Sequence, residues 1–417
     1  MITTLINAVK IPELRKKIIF TLLILLVVRL GAHIPVPGVD AAVLSTMFGN
    51  EIWSLIDTFA GGAFKQFTLF ALGIMPYINA SIIMNLLTIA IPYFERLARE
   101  GQEGRKKMAK FTRYGAVILG FVQACGMTIY LKDAFVEQNF ITYATVVICL
   151  TAGTAFLMWL GEMITEKGIG NGISLIIFIG IVSRFPSALS TIYTSWSGDQ
   201  VSTIALIIFA IIALFIVAGV VTVQEGQRRI PVQYAKRVIG RKVYGGQSTH
   251  IPIRVNQTGV IPIIFAMSLL MLPATIAGFF PDSGVAVWFT KVLSSNHPVY
   301  MICYVLLIIF FTYFYTAVTF NPREVAENMQ KNGGFIPGLR PGRTTSEYLD
   351  RVLSRITLAG AIFLAFIAVL PNIASALSGL NIYFGGTSLL IVVGVALDTM
   401  KQLENQIVQR NYQGFMK

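Results

Sequence analysis

The fold class this sequence predicts is all-α and integral to a membrane, with ten transmembrane helices. Three observations predict it. The 417 residues are 55% hydrophobic and only 13% charged, with a mean hydropathy of +0.70, whereas soluble domains carry about 25% charged residues. Ten apolar stretches approach the length of about 20 residues that crosses a hydrocarbon core. When those stretches are laid alternately across a bilayer, the basic residues sort almost entirely to one side.

The stretches are 18–34, 70–91, 114–131, 143–163, 173–192, 202–223, 259–280, 299–320, 356–376 and 386–399. The first follows a basic run, Arg15, Lys16 and Lys17, with no small-residue cleavage site between, which reads as a retained first helix rather than a signal peptide. On one side of the bilayer fall that run, the loop from Arg96 to Arg113, Lys167, the loop 224–258, the loop 321–355 and the tail. On the other side fall only Lys65, Lys132 and Lys291. Positive loops stay in the cytoplasm, so both termini are expected there. The same asymmetry accounts for the formal net charge of +13 without nucleic acid, and no direct DNA binding is expected. Cys125, Cys149 and Cys303 lie in apolar stretches without metal-ligand spacing and read as packing residues.

Four features rise above this skeleton. The segment 70–87, FALGIMPYINASIIMNLL, is apolar but carries Gly73, Pro76, Asn79, Ser81 and Asn85. Ile74, Ile78 and Ile82 recur every four residues, so they share one helical face. Such a helix can wall a pore, although the residues alone favour an ordinary buried span whose small and polar groups pack on neighbours. The outer segment 36–67 is long and moderately apolar, and within it 52–60, IWSLIDTFA, can form a helix too short to span. Alone it favours lying on the outer surface over folding back. The run GIGNGISLII at 168–177 alternates glycines and places Ile173 and Ile177 on one face. It reads as a flexible helix entry, since no phosphate-binding pattern accompanies it. The basic loops 224–258 and 321–355 are too long for connectors. The first has hairpin character around Gly245 and Gly246, and the second presents Arg340 and Arg343 on a stiff Pro/Gly turn, FIPGLRPGR. They either enforce topology and touch anionic lipid or dock a large anionic partner.

Several function classes lack their residues. Ion-coupled transport needs ionisable groups near the midplane; Arg29 and Arg184 are the exceptions, and both fall toward the outer ends of their spans, where snorkelling to the interface is the expected behaviour. No metalloprotease or serine-hydrolase motif is present, and His33, His250 and His297 lie in or near loops. No nucleotide-binding motif is present either, so neither an enzyme nor a cofactor is expected. A passive conduit or scaffold remains, driven by a partner. An apolar constriction stabilises water and ions poorly, yet it deforms around an extended polypeptide. A secondary transporter of a small molecule is the alternative.

Particular motifs carry a resemblance. They are IPVPGVDAAVL (34–44), FALGIMPYINASII (70–83), GTAFLMWLGEMITEKGIGNGIS (153–174), QRRIPVQYAKR (227–237), STHIPIRVN (248–256), FYTAVTFNPRE (314–324), IPGLRPG (336–342) and FGGTSLLIVV (384–393). Together they resemble the SecY family, the channel subunits of the bacterial Sec protein translocase, from the first span to the last. The resemblance implies two pseudo-symmetric halves, spans 1–5 within 1–192 and spans 6–10 within 193–417, around an hourglass pore. It implies a pore ring of Ile74, Ile78, Ile173, Ile177, Ile264 and Ile391, and a plug at about 51–67, so that the outer segment folds back. A lateral gate is implied between spans 2–3 and 7–8, with Asn79, Asn85 and Asn256 in polar contact across it. Lys236, Arg241, Lys242 and Arg340 match basic positions that receive the SecA ATPase or the ribosome. SecE and SecG are implied as partner subunits, with signal sequences, unfolded preproteins and membrane lipids as the other partners, in a bacterial plasma membrane. The family often has serine or threonine where this chain has Asn79, and glutamine where it has Asn85.

Overall fold

The computed structural model describes residues 8–40, 43, 57, 60–198, 202–234, 237–239, 242–244, 248–278, 284, 288–289, 292, 297–378 and 386–415. Each of the ten apolar stretches falls on a helix. They are α1 (Pro12–Gly31), α2 (Met75–Ala90), α4 (Gln102–Tyr130), α5 (Phe140–Lys167), α6 (Gly172–Ser183) with α7 (Phe185–Ser197), α8 (Thr203–Glu225), α9 (Ile261–Gly278), α10 (Pro298–Thr319), α12 (Arg343–Ser378) and α13 (Gly386–Phe415). A short amphipathic helix, α3 (Pro92–Arg99), joins α2 to α4, and α11 (Pro322–Lys331) joins α10 to the turn before α12. Among the described residues, five helices are long and apolar enough to cross a membrane, or six if α2 and α3, which bend by 104°, count as one broken span.

Two local expectations change, and the start of the second stretch becomes defined. Residues 61–74 form turns, with Gly73 at φ +57°, and the helix begins at Met75. Pro76 therefore sits in the first turn, where its missing N–H leaves no bond unmade. The fifth stretch is two helices with Arg184 between them. Its glycine-rich entry is capped rather than loose: the Asn171 side chain accepts from Ile173 N and Ser174 N, and Thr165 Oγ1 accepts from Gly172 N at 2.9 Å.

Helices up to Ser197 pack mainly on one another, as do those from Thr203 onward. The two groups meet chiefly along α2 against α9 and α6 against α13. One large apolar core runs through both groups, and rows such as Ile204, Ile207, Ile211 and Leu214 on α8 remain exposed, as a lipid-facing helix requires. Hydroxyls inside this core donate back along their own helices: Thr128 to Ala124 O, Thr154 to Leu150 O, and Thr312 to Ile308 O.

At the basic end the two long loops form one body. The strand β1 (Gln227–Tyr234) pairs antiparallel with β4 (Ser248–Arg254) on one edge and with β5 (Gly334–Phe335) on the other. The short strands β2 (Arg237–Ile239) and β3 (Lys242–Tyr244) pair at its tip, while Gly245 and Gly246 lie outside the described residues. A separate apolar cluster of Ile230, Val232, Ile253, Met329, Ile336, Leu349, Val352 and Leu353 holds the sheet to α11 and α12. Gly334 is required at its position because a Cβ there would fall 2.9 Å from the Tyr234 ring.

Candidate pore, seal and gate

Five of the six ring isoleucines are buried in the same core. Ile74 is the N-cap residue of α2, Ile78 lies in its first turns, Ile177 comes from α6, Ile264 from α9 and Ile391 from α13. They come from four helices that are remote in sequence and belong to one apolar core. Ile173 is set back: it is half-buried at the margin of the core, with its Cδ1 against Gly161 of α5.

The described part of the plug stretch, Asp57 and residues 60–67, folds back into the molecule. Ala63, Phe64 and Phe67 are at most 1% exposed. Ala60 lines a small cavity together with Gly73, Ile74, Ile177, Gly180 and Arg29, so the segment lies against the ring. A backbone seam fixes its base: Val36 N donates to Phe67 O, Leu69 N donates to Ile34 O, and Pro35 bridges Thr68. Residues 51–56, 58 and 59 lie outside the described residues, and most of the short helix expected over 52–60 lies with them.

Arg29 and Arg184 do not snorkel. Arg29 Nη1 donates to Gly61 O at 3.1 Å, and Arg184 Nη1 lies 2.8 Å from Oδ2 of the fully buried Asp57. Each turns inward because an acceptor waits there, and a buried carboxylate needs a counter-charge more than the guanidinium needs lipid headgroups. Sequence reasoning passed over Asp57. The signal was available: it is the sole acidic residue of an apolar run, in a chain with two unexplained intramembrane arginines.

The three asparagines behave differently. Asn85 Nδ2 donates to Tyr315 Oη at 3.0 Å, joining α2 to α10. Asn79 is buried on α2, and its Oδ1 has no hydrogen-bond partner. Asn256 Nδ2 donates to Gly259 O and its Oδ1 accepts from Thr258 Oγ1, so it shapes the entry into α9. The spacing of three residues to Gly259, at φ +63°, favours that local bond over a distant one. Ser268 Oγ of α9 approaches Met75 Sδ of α2 at 3.7 Å, a contact the sequence did not indicate. Of the docking residues, Arg340 is exposed in the turn before α12 and Lys242 begins β3, while Lys236 and Arg241 lie outside the described residues.

A family model described as SecY matches residues 68–400, which include both α2 and α9 and all six of the isoleucine positions, with Ile391 the last. The chain belongs to the SecY family. It is 49% identical to "Protein translocase subunit SecY" of Halalkalibacterium halodurans and 48% identical to the protein of that name in Bacillus subtilis, in each case over 100% of both chains. Its fold is similar to a solved structure described as "The structure of a protein conducting channel", with a TM-score of 0.69 at 24% identity, covering 94% of this chain and 92% of that one. It is similar at TM-scores of 0.69 and 0.64, both at 22% identity and the same coverage, to a SecY structure whose plug domain is described as maintaining a membrane seal and to Sec61 in a canine ribosome–channel complex. A SecY-family fold places every element named above in one channel-like body that is multi-pass in the membrane.

Proposed function

We propose that this chain is a protein-conducting channel. It passes unfolded secretory polypeptides across the bacterial plasma membrane and releases hydrophobic segments sideways into lipid. The observation that carries this reading is the meeting of Ile74, Ile78, Ile177, Ile264 and Ile391 in one core, with the 60–67 segment folded onto it. Branched aliphatic tips give water and ions no hydrogen bonds, so the constriction seals by poor wetting and yields to an extended chain without binding it. Nothing in the site supports transport of a small molecule, and among the described residues no cluster of His, Cys, Asp or Glu is placed to hold a metal.

The ten helices form two halves, 1–192 and 193–417, with both termini in the cytoplasm. The α2–α9 seam is the lateral gate; Asn85 with Tyr315, and Ser268 with Met75, close it. Residues 51–67 are the plug. The sheet module, with Arg340 exposed and Lys242 at the start of β3, receives SecA or the ribosome, to which Lys236 and Arg241 also contribute, and SecE and SecG complete the complex. Docking and a hydrophobic signal helix each shift the population toward the open gate by their differential affinity for it.

A site-specific crosslink tests the conduit. With Cys125, Cys149 and Cys303 replaced and Ile78→Cys introduced, a secretory polypeptide stalled during SecA-driven translocation should crosslink to position 78 only with ATP and an intact signal sequence. Translocation that proceeds without that crosslink would route the polypeptide elsewhere.

A further inference from the structure

Asp57 is fully buried. Oδ1 accepts from Lys65 N at 2.9 Å within its own segment, and Oδ2, which accepts no hydrogen bond, lies 2.8 Å from Arg184 Nη1 of the α6–α7 junction as an ion pair. One turn earlier on α6, Gly180 meets Gly61 backbone to backbone: a Cβ on Gly61 would stand 2.7 Å from Gly180 Cα, and Gly61 is at φ +65°. Arg29 of α1 donates to Gly61 O. Asp57 and Gly61 are therefore held to α1 and α6 by two guanidinium groups.

We propose that Asp57, Arg184 and Arg29 are positioning residues that clamp the sealing segment over the isoleucine ring, so that resting closure depends on an ion pair and not on apolar contact alone. This rests on the reading of 51–67 as the seal. The anatomy fits a releasable clamp. The base of the segment is held by main-chain bonds between 34–36 and 67–69, which are independent of these side chains. The grip on Asp57 and Gly61 comes from Arg29, Arg184 and the Gly61–Gly180 approach, and it can be lost without unravelling the base. Both arginines belong to the helices before Thr203, so parting of α2 from α9 does not by itself pull the pair apart. Gate opening and seal release are thereby separable steps. The Arg184 side chain is 24% exposed, which leaves the pair within reach of water. Water that enters stabilises the separated charges and lowers the cost of release.

The test uses the full chain with its partner subunits in planar bilayers, and the readout is resting ion conductance before any substrate is added. The neutral pair Asp57→Asn with Arg184→Gln removes the attraction without leaving a lone buried charge, and it should raise resting conductance about tenfold through the closed–open population. The exchanged pair Asp57→Arg with Arg184→Asp should return it to within roughly a factor of two of the unmodified channel, which a merely space-filling role would not do. Deletion of 57–66 is the control for the seal itself. A deletion that leaks beside a neutral pair that does not would overturn the clamp and leave the seal reading intact. A deletion that does not leak would remove both. An exchanged pair as leaky as the neutral one would show that charge pairing is not what holds the segment.

Discussion

Single side chains inside this bundle are placed by what they must satisfy, because a buried polar group without a partner costs free energy. Thr128, Thr154 and Thr312 meet the requirement within their own helices. Asp57 meets it at Oδ1 with Lys65 N while its Oδ2 is only ion-paired with Arg184, and Asn85 meets it with Tyr315 across α2 and α10. Asn79 does not: its buried Oδ1 has no partner in this arrangement. That deficit costs free energy in this packing. Asn79→Leu keeps the branching and heavy-atom count and removes the orphaned oxygen, so, on the proposed α2–α9 gate, it should stabilise the packed state by about 1–3 kcal/mol. The expected outcome is slower export of preproteins with weak signal sequences, with strong signals little affected. Faster export of the weak signals would reverse the sign assigned to Asn79.

At the scale of elements, helix starts and strand pairing decide what the site can use. Pro76 and the turn at Gly73 set the start of α2, and this puts Ile74 at the cap and Ile78 one turn inside. Asn171 does the same for α6 and so fixes the height of Ile177. The pairing of β5 with β1 converts two loops more than 90 residues apart, by their paired positions Gln233 and Phe335, into one platform with its own apolar core. The platform separates stability from recognition. Leu349→Ala, at 0% exposure, should destabilise it by about 2–5 kcal/mol, seen as faster amide exchange in β1 and β4. Arg340→Glu should leave that exchange unchanged and reduce SecA-driven export. Export unaffected by Arg340→Glu would remove Arg340 from the docking surface.

For the whole molecule, the decisive fact is that two groups of helices share one core yet touch chiefly along two seams. Ile177 and Ile391 lie on α6 and α13, and Ile74, Ile78 and Ile264 lie at or on α2 and α9, so the proposed ring draws on the helices of both seams. On that proposal, parting either seam widens it. Met75→Cys with Ser268→Cys, in a chain without its three native cysteines, joins α2 to α9 where Ser268 now contacts Met75. A short cleavable thiol crosslinker at that pair should stop translocation, and reduction should restore it. Undiminished translocation through the crosslinked channel would show that the α2–α9 seam does not open.

The sequence by itself determined the class and the helices, and it set an expectation of sidedness. Hydropathy, span length and the sorting of Lys and Arg are one-dimensional quantities, and each of the ten stretches carries its own signal. The four-residue spacing of Ile74 and Ile78 was equally legible, because helical periodicity is local. The hairpin in 224–258 was legible as a pattern, but its union with 334–335 was not, since a two-residue strand has no periodicity to read. Only the tertiary structure decided which charges face which. Arg29 and Arg184 read as interface residues because nothing near them in sequence is acidic, and Asp57 lies 127 positions before Arg184, by their numbers, on a different element. Asn256 read as a gate residue by its motif and turned to Gly259 because the nearer carbonyl was already in place. Pairing across elements depends on where the chain returns in space, and that information is carried by the packing of all the helices together.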